Sequence, residues 1–140
     1  MDKEQLKRVL PHREPMLLVD EVTLSEDSTI AYGRKEIIGD EWFVQGHFPE
    51  NPVVPGVIIC EIMAQTCCML LEKEIQGKTP YFMGIDKVRF KAKVRPGDEV
   101  RTEVTITRSK GVFYFARCKA FVRERIAALG DLSFALIEGR

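Results

Sequence analysis

Two side chains suited to acid–base chemistry stand 14 residues apart, His47 in a proline-rich loop and Glu61 in an apolar segment. The imidazole of a histidine can accept a proton near neutral pH. A carboxyl group among apolar side chains tends to keep its proton, because burial disfavours its charged form. The pair could therefore supply the base and the acid of a proton-transfer reaction.

The chain between these two residues could bind a developing negative charge. The first N–H groups of a helix, here those of Gly56 and Val57, have no acceptor within the helix. Together with the positive end of the helix dipole, they can stabilise an oxyanion. Gln65 follows Glu61 by one helical turn, so its amide can hydrogen bond to the carboxyl group and orient it. These residues predict an active site at the start of the helix.

Simpler explanations exist for each residue. Glu61 could lie on a hydrated helix face, or it could pair with a lysine or arginine from a strand. A single loop histidine is often only structural, and His12 offers the same bare chemistry as His47. The setting favours His47, because Gly46 removes a neighbouring side chain and prolines stiffen the loop that leads to the helix.

The elements that would position these residues follow from the apolar pattern. In order, the sequence predicts a helix at 2–9, strands at 16–22 and 29–37, a helix at 56–76, and strands at 87–94, 99–108, 112–122 and 125–137. Asp2 can cap the first helix and Gly77 can end the second. Alternating apolar and basic residues predict one buried face for the strand at 87–94, and Gly130 and Asp131 predict a bulge or turn in the last strand.

The long helix sets the fold class. From Val57 to Leu71 its only polar residues are Glu61, Gln65 and Thr66. Such a helix cannot lie on the protein surface with one face in water, so it must be enclosed. An antiparallel sheet curled around a central helix satisfies that requirement. We expect residues 1–140 to form a single α+β domain.

Composition excludes several classes of protein. Lysine plus arginine and aspartate plus glutamate balance at 21 each, so the overall charge argues against binding to nucleic acid or to a membrane surface. The charged N-terminal segment lacks the apolar core of a signal peptide, and no apolar run is long enough to span a membrane, so we expect a cytoplasmic protein. The four cysteines are predicted to be reduced core residues, because their spacing is not that of a metal site: Cys60, Cys67, Cys68 and Cys118.

Three sequence blocks carry a specific family resemblance. GHFPENPVVPGV (46–57) followed by EIMAQ (61–65) resembles the signature of the 3-hydroxyacyl-[acyl-carrier-protein] dehydratases of the FabZ type. LPHREPMLLVDEV (10–22) and FMGIDKVRFKAKVRPGDEV (82–100) match two further blocks of that family, in the same order. The resemblance covers roughly residues 5–125.

The resemblance implies a hot-dog fold and a particular reaction. The reaction is reversible removal of water from a (3R)-hydroxyacyl thioester on acyl carrier protein, giving a trans-2-enoyl thioester in fatty acid biosynthesis without a cofactor. The resemblance makes His47 the catalytic histidine and Glu61 of the partner subunit the acid. It also implies that the Gly56 N–H polarises the thioester carbonyl, that Gln65 supports the glutamate, and that the homodimer assembles as a trimer of dimers.

Several positions depart from the family's usual pattern and leave details open. PVVPG replaces PVMPG, Glu14 stands in place of an aromatic residue, Glu21 in place of a basic one, and LGDLSF near the end is atypical. Because none of these changes touches His47 or Glu61, they bear on chain-length preference and carrier docking. The choice between dimer and hexamer also stays open.

Three other functions fit the same pattern. A dehydratase that also moves the double bond to the cis-3 position would use the same residues. An acyl thioesterase could share the fold, because a fold does not determine a reaction. A carrier-binding module without catalysis is a third alternative.

A stripe of basic residues could bind an acidic carrier protein, although an ordinary hydrated strand face would have the same composition. Its residues are Lys87, Arg89, Lys91, Lys93 and Arg95.

Overall fold

A six-stranded antiparallel sheet wraps around one helix in the computed structural model, which describes residues 1–139. In chain order the elements are α1 (Lys3–Leu6), β1 (Glu21–Leu24), β2 (Ile30–Glu36), α2 (Gly56–Cys68), a 3₁₀ turn (Met69–Leu71), β3 (Lys78–Phe90), β4 (Glu99–Lys110), β5 (Phe113–Val122) and β6 (Arg125–Glu138). The strand order is β1-β2-β4-β5-β6-β3, so β1 and β3 form the two edges. The predicted α+β architecture is confirmed.

Enclosure of α2 is also confirmed. Between Ile58 and Cys68, every residue except Glu61 is buried. The helix packs against β2, β4, β5 and β6, which together form most of the inner face of the sheet. Each fully buried isoleucine or methionine contributes roughly 1.5–3 kcal/mol to stability, so this helix supplies much of the core.

A close contact joins the helix to the sheet backbone. The Thr66 hydroxyl donates to the carbonyl oxygen of Ile62 and lies 2.9 Å from the Thr102 hydroxyl. Thr102 pairs with Gly33 across β4 and β2. A Cβ on Gly33 would lie 2.4 Å from the Thr102 hydroxyl oxygen and 2.5 Å from that of Thr66, so only glycine fits there.

The cysteines are free and buried, as the sequence predicts. The sulfur atoms of Cys67 on α2 and Cys118 on β5 lie 3.5 Å apart. Burial raises the pKa of the Cys60 thiol to about 11 and that of the Cys68 thiol to about 12. Because the thiolate is the reactive form, these thiols behave as apolar core groups.

Two predicted boundaries near α2 are wrong. The first strand was expected at 16–22 but begins at Glu21, because Leu18 turns its N–H to the Gln65 side chain instead of to a neighbouring strand. The helix expected at 56–76 ends at Cys68 and tightens into the 3₁₀ turn. The following turns bury Ile75 and reach Gly77, whose φ of +72° leads the chain into β3.

The predicted strand at 87–94 is misplaced, and so is the predicted bulge. β3 starts at Lys78 and ends at Phe90, and its pairing with β6 is irregular between Asp86 and Arg89, where Lys87 has a φ of +55°. A bulge was expected on β6 at Gly130, but it lies on β3. Gly130 is required opposite it, because a Cβ there would lie 2.4 Å from a methyl carbon of Val88. The basic residues therefore do not share one strand face.

We predict that Gly33→Ala lowers the free energy of unfolding by about 1–3 kcal/mol, because the added methyl overpacks the contact with Thr66 and Thr102. Urea unfolding measures this cost. The same substitution in a Thr66→Ala/Thr102→Ala background should cost less than half as much, because both hydroxyls are then gone. An equal cost in the two backgrounds would contradict the steric explanation.

Candidate active site

Glu61 is the one carboxylate on the enclosed part of α2, and its side chain is 20% exposed. One turn later, Gln65 donates from its amide nitrogen to Glu61 Oε2 at 2.9 Å. The predicted orientation of the glutamate by Gln65 is therefore observed in the structure. The explanation that Glu61 pairs with a strand lysine or arginine does not hold among residues 1–139, where the ionisable side chain next to its carboxyl group is His12.

Gln65 also anchors a segment that precedes β1. Its amide nitrogen donates to the Met16 carbonyl oxygen at 2.8 Å, and its amide oxygen accepts the Leu18 N–H at 3.0 Å. The side chain is 1% exposed, so these bonds form away from water. One buried amide thus connects the helix, the carboxyl group and the segment at 16–18.

His12 lies beside the same carboxyl group, with its Nε2 3.5 Å from Glu61 Oε2. The sequence offered His12 only as an alternative to His47, because no spacing rule connects position 12 to position 61. A narrow cavity of about 30 Å³ opens at this point, lined by His12, Glu61, Ala64, Gln65, Cys68, Pro80, Tyr81, Phe82 and Phe134. Ala64 and Cys68 of α2 line the cavity next to the carboxyl group.

Three apolar residues near the helix have different surroundings. Phe82 lines the cavity beside Glu61. Ile62 is fully buried and belongs to the core. Phe90 is 54% exposed, and its ring lies against Gly56. The residues at the start of the helix and those beside Glu61 are therefore flanked by different parts of β3.

His47 is held in a defined orientation by its loop. Its Nδ1 lies 3.0 Å from the Val53 carbonyl oxygen, and its own carbonyl accepts the Val53 N–H at 2.8 Å. Because a carbonyl oxygen only accepts hydrogen bonds, the ring proton is assigned to Nδ1. The lone pair of the neutral ring is then on Nε2, where it can accept a proton. The Phe48 ring stacks on the imidazole at 4.4 Å.

The start of α2 presents free donors. Within the described chain, the N–H groups of Gly56 and Val57 have no acceptor, and the cap residue Pro55 has no side chain that could bind them. Val57 is 68% exposed, so the donors lie at the surface of one subunit. The predicted oxyanion site is thus geometrically available.

One chain does not bring all predicted residues together. Glu61, Gln65 and His12 form one cluster, whereas no hydrogen bond or ion pair within residues 1–139 joins His47 to Glu61. The edge strand β3 lies beside Glu61 and beside the start of α2, and it exposes several large apolar side chains: Tyr81, Phe82, Met83, Ile85 and Phe90. An uncovered, apolar edge strand is suited to pairing with another chain.

Three further observations concern the part of the chain that the structure describes. It contains no group of three or more histidine, cysteine, aspartate or glutamate side chains that could hold a metal ion. None of its helices has the length and apolar character needed to cross a membrane. A groove of about 590 Å³ between β2, β4 and β5 is lined by neither histidine and not by Glu61.

Comparison with known proteins gives consistent matches along the chain. Residues 10–130 match the family model described as FabA-like domain. A relative from Clostridium perfringens, named 3-hydroxyacyl-[acyl-carrier-protein] dehydratase FabZ, is 46% identical over 139 residues, covering 97% of this chain and 99% of its own. A relative of the same name from Bacillus velezensis is 43% identical and covers 99% of both chains.

A solved structure matches the whole fold. It is the dehydratase heterocomplex ApeI:P from Xenorhabdus doucetiae, with a TM-score of 0.78 and 18% identity, covering 94% of this chain and 90% of that one. At this identity the match concerns the fold alone. Together with the family model, it confirms the expected hot-dog fold.

We predict that Gln65→Leu lowers the free energy of unfolding by about 1–3 kcal/mol, because the buried Leu18 N–H loses its only acceptor. Chemical denaturation measures the loss, and hydrogen exchange at the Leu18 amide should accelerate.

Gln76→Leu is the matched control, because Gln76 is exposed and bonds only to the carbonyl oxygen of Glu72. Its effect should stay within about 0.5 kcal/mol. Equal stability of the two variants would show that the Gln65 anchor contributes nothing.

Proposed function

This chain belongs to the FabZ-type family of 3-hydroxyacyl-[acyl-carrier-protein] dehydratases, and we propose that His47 and Glu61 of the partner subunit carry out the reaction. The chain is a hydro-lyase that reversibly converts a 3-hydroxyacyl thioester on acyl carrier protein to the 2-enoyl thioester in fatty acid biosynthesis. The observation that best supports the proposed roles is the fixed ring of His47, whose Nε2 is left free to act as a base.

His47 begins the reaction by taking a proton from C2 of the acyl chain. The Val53 carbonyl holds the Nδ1 proton, so Nε2 can accept the second proton and the resulting cation keeps its hydrogen bond. A positioned general base of this kind typically contributes roughly 10²–10⁴ in rate.

The thioester oxygen gains negative charge as C2 loses its proton. The free N–H of Gly56, with Val57 beside it, is the proposed donor to that oxygen. The dipole of α2 has its positive end at this position, so it stabilises the same charge. Gly56 suits the role because it places no side chain between the helix start and the Phe90 ring.

Glu61 completes the elimination as an acid. The C3–O bond breaks while Glu61 gives a proton to the departing hydroxyl, so that water leaves and a double bond forms between C2 and C3. His47 then carries the proton from C2, and its return to Glu61 through solvent restores both groups. The hydrogen bond from the Gln65 amide to Glu61 Oε2 holds the carboxyl group in position for this step.

We propose that the site is built from two copies of the chain, since no hydrogen bond or ion pair within residues 1–139 joins His47 to Glu61. Pairing along the β3 edge would cover its exposed apolar side chains, and β3 passes both Gly56 and the cavity beside Glu61. We therefore propose a homodimer through β3. Assembly into a trimer of dimers and a cytoplasmic location remain predictions from the sequence.

Carrier docking is proposed at the basic residues nearest the helix start. The Val54 N–H donates to the Val94 carbonyl oxygen at 2.8 Å, so residues 91–95 run beside the loop that leads into Gly56. Lys91, Lys93 and Arg95 are exposed there. Lys87 instead lines a surface pocket with Arg117 and Asp131, and is a weaker candidate.

We predict that His47→Ala and His47→Asn each lower kcat by at least about 10²-fold, because both remove the base. Asn keeps a donor for the Val53 carbonyl, so its inactivity would separate base chemistry from loop anchoring. The assay follows 3-hydroxyacyl carrier protein by mass and double-bond position, which also detects cis-3 product or free thiol. Substantial turnover by His47→Asn would remove His47 from the mechanism.

Glu61→Gln should also lose most activity, because it removes the acid: an amide cannot donate an acidic proton to the leaving hydroxyl. Glu50→Gln is the control, because Glu50 is an exposed carboxylate of the neighbouring loop. Near wild-type turnover by Glu61→Gln would show that the acid is another group.

We predict that Lys91→Glu/Lys93→Glu raises KM for carrier-bound substrate several-fold and leaves KM for a short thioester mimic unchanged. The control is Lys73→Glu/Lys110→Glu, which makes the same charge change at exposed residues remote from the helix start. Equal effects of the Lys91/Lys93 variant on both substrates would contradict docking at this surface.

A further inference from the structure

The two oxygens of the Glu61 carboxyl group have different surroundings. Gln65 donates to Oε2, and His12 Nε2 also lies next to Oε2. Oε1 has no hydrogen bond or ion pair within the described residues. The carboxyl group is therefore held through one oxygen and leaves the other free.

The surroundings of His12 fix which nitrogen carries its proton. Nδ1 is buried and has no partner among residues 1–139. A proton on Nδ1 would be a buried donor without an acceptor, and the Nε2 lone pair would then face a carboxyl oxygen. With the proton on Nε2, the ring donates toward Oε2 and only a lone pair at Nδ1 is left without a partner. This second tautomer is the favourable one.

The segment that carries His12 is tied down on both sides. On one side, the Arg13 guanidinium donates to the carbonyl oxygens of Leu10 at 2.9 Å and of His12 at 2.7 Å. On the other side, Gln65 binds the segment at Met16 and Leu18. Hydrogen bonds on both sides of His12 therefore hold its ring next to Glu61.

From this geometry we propose that His12 is a positioning residue: with Gln65 it directs two N–H donors at Glu61 Oε2, so that the acidic proton is carried by Oε1. An oxygen that accepts two donors acts as the carbonyl oxygen of the acid, because a hydroxyl oxygen is the weaker acceptor. Oε1 then presents its proton to the leaving hydroxyl. This inference rests on the proposed role of Glu61 as the acid.

The distance of 3.5 Å between His12 and Glu61 is long for a hydrogen bond. Catalytic hydrogen bonds often tighten only in the complex with substrate. The effect of His12 is therefore expected in turnover and not in substrate binding.

The test compares His12→Leu, which removes the donor, with His12→Gln, whose side-chain amide can donate from a similar position. We expect His12→Leu to lower kcat about 10–100-fold, the range for losing one hydrogen bond to an ionisable group, with KM within about two-fold. His12→Gln should recover most of kcat. Wild-type kcat in His12→Leu overturns the proposal, and so do equal losses in both variants when thermal unfolding shows both to be folded.

A double-mutant cycle with Glu61→Gln locates the effect. If His12 acts through Glu61, His12→Leu should add little further loss to the residual turnover of Glu61→Gln. An undiminished loss in that background overturns the proposal. Full activity of Glu61→Gln alone would instead refute the acid role of Glu61, so the failure of that role is distinguishable from the failure of His12 as its positioning residue.

Discussion

The buried amide of Gln65 is the interaction on which the site depends. It satisfies an N–H and a carbonyl of the segment at 16–18 and still reaches Glu61, so one side chain fixes the position of three parts of the molecule. An enclosed helix has no water to take over these bonds, which makes each of them costly to lose. The geometry of Glu61 and the path of the chain that carries His12 are therefore consequences of the same buried group.

Much of this arrangement could be predicted from the sequence. The apolar run around Glu61 requires an enclosed helix, and the position of Gln65 one turn later correctly predicts its bond to the carboxyl group. These are local relations, set by helix geometry and by the free energy of burial. The partners of Gln65 at Met16 and Leu18 are 49 and 47 residues away, and no periodicity specifies them. Leu17 and Leu18 are buried beside the helix, outside any strand. The apolar pattern alone could not distinguish this segment from a buried strand.

The errors in β3 have a different cause. Alternation at 87–94 is a true feature of the sequence, but a bulge interrupts the pleat where Lys87 adopts a positive φ. The glycine that signals this irregularity is Gly130 on the neighbouring strand, where it makes room for Val88. A glycine in a strand therefore indicates that another chain segment comes close, without telling which of the two strands is distorted.

The same edge strand explains why a single chain exposes so many apolar side chains near the proposed catalytic residues. β3 has one neighbour, β6, and its free side carries the residues that flank both the helix start and the carboxyl group. The other edge, β1, has four residues and begins with a glutamate, which makes it a poor site for pairing. The two edges therefore differ in the way expected if only β3 pairs. Burial of β3 against a second copy would also remove water from around Glu61, so the edge strand and the proposed acid would be enclosed by the same contact.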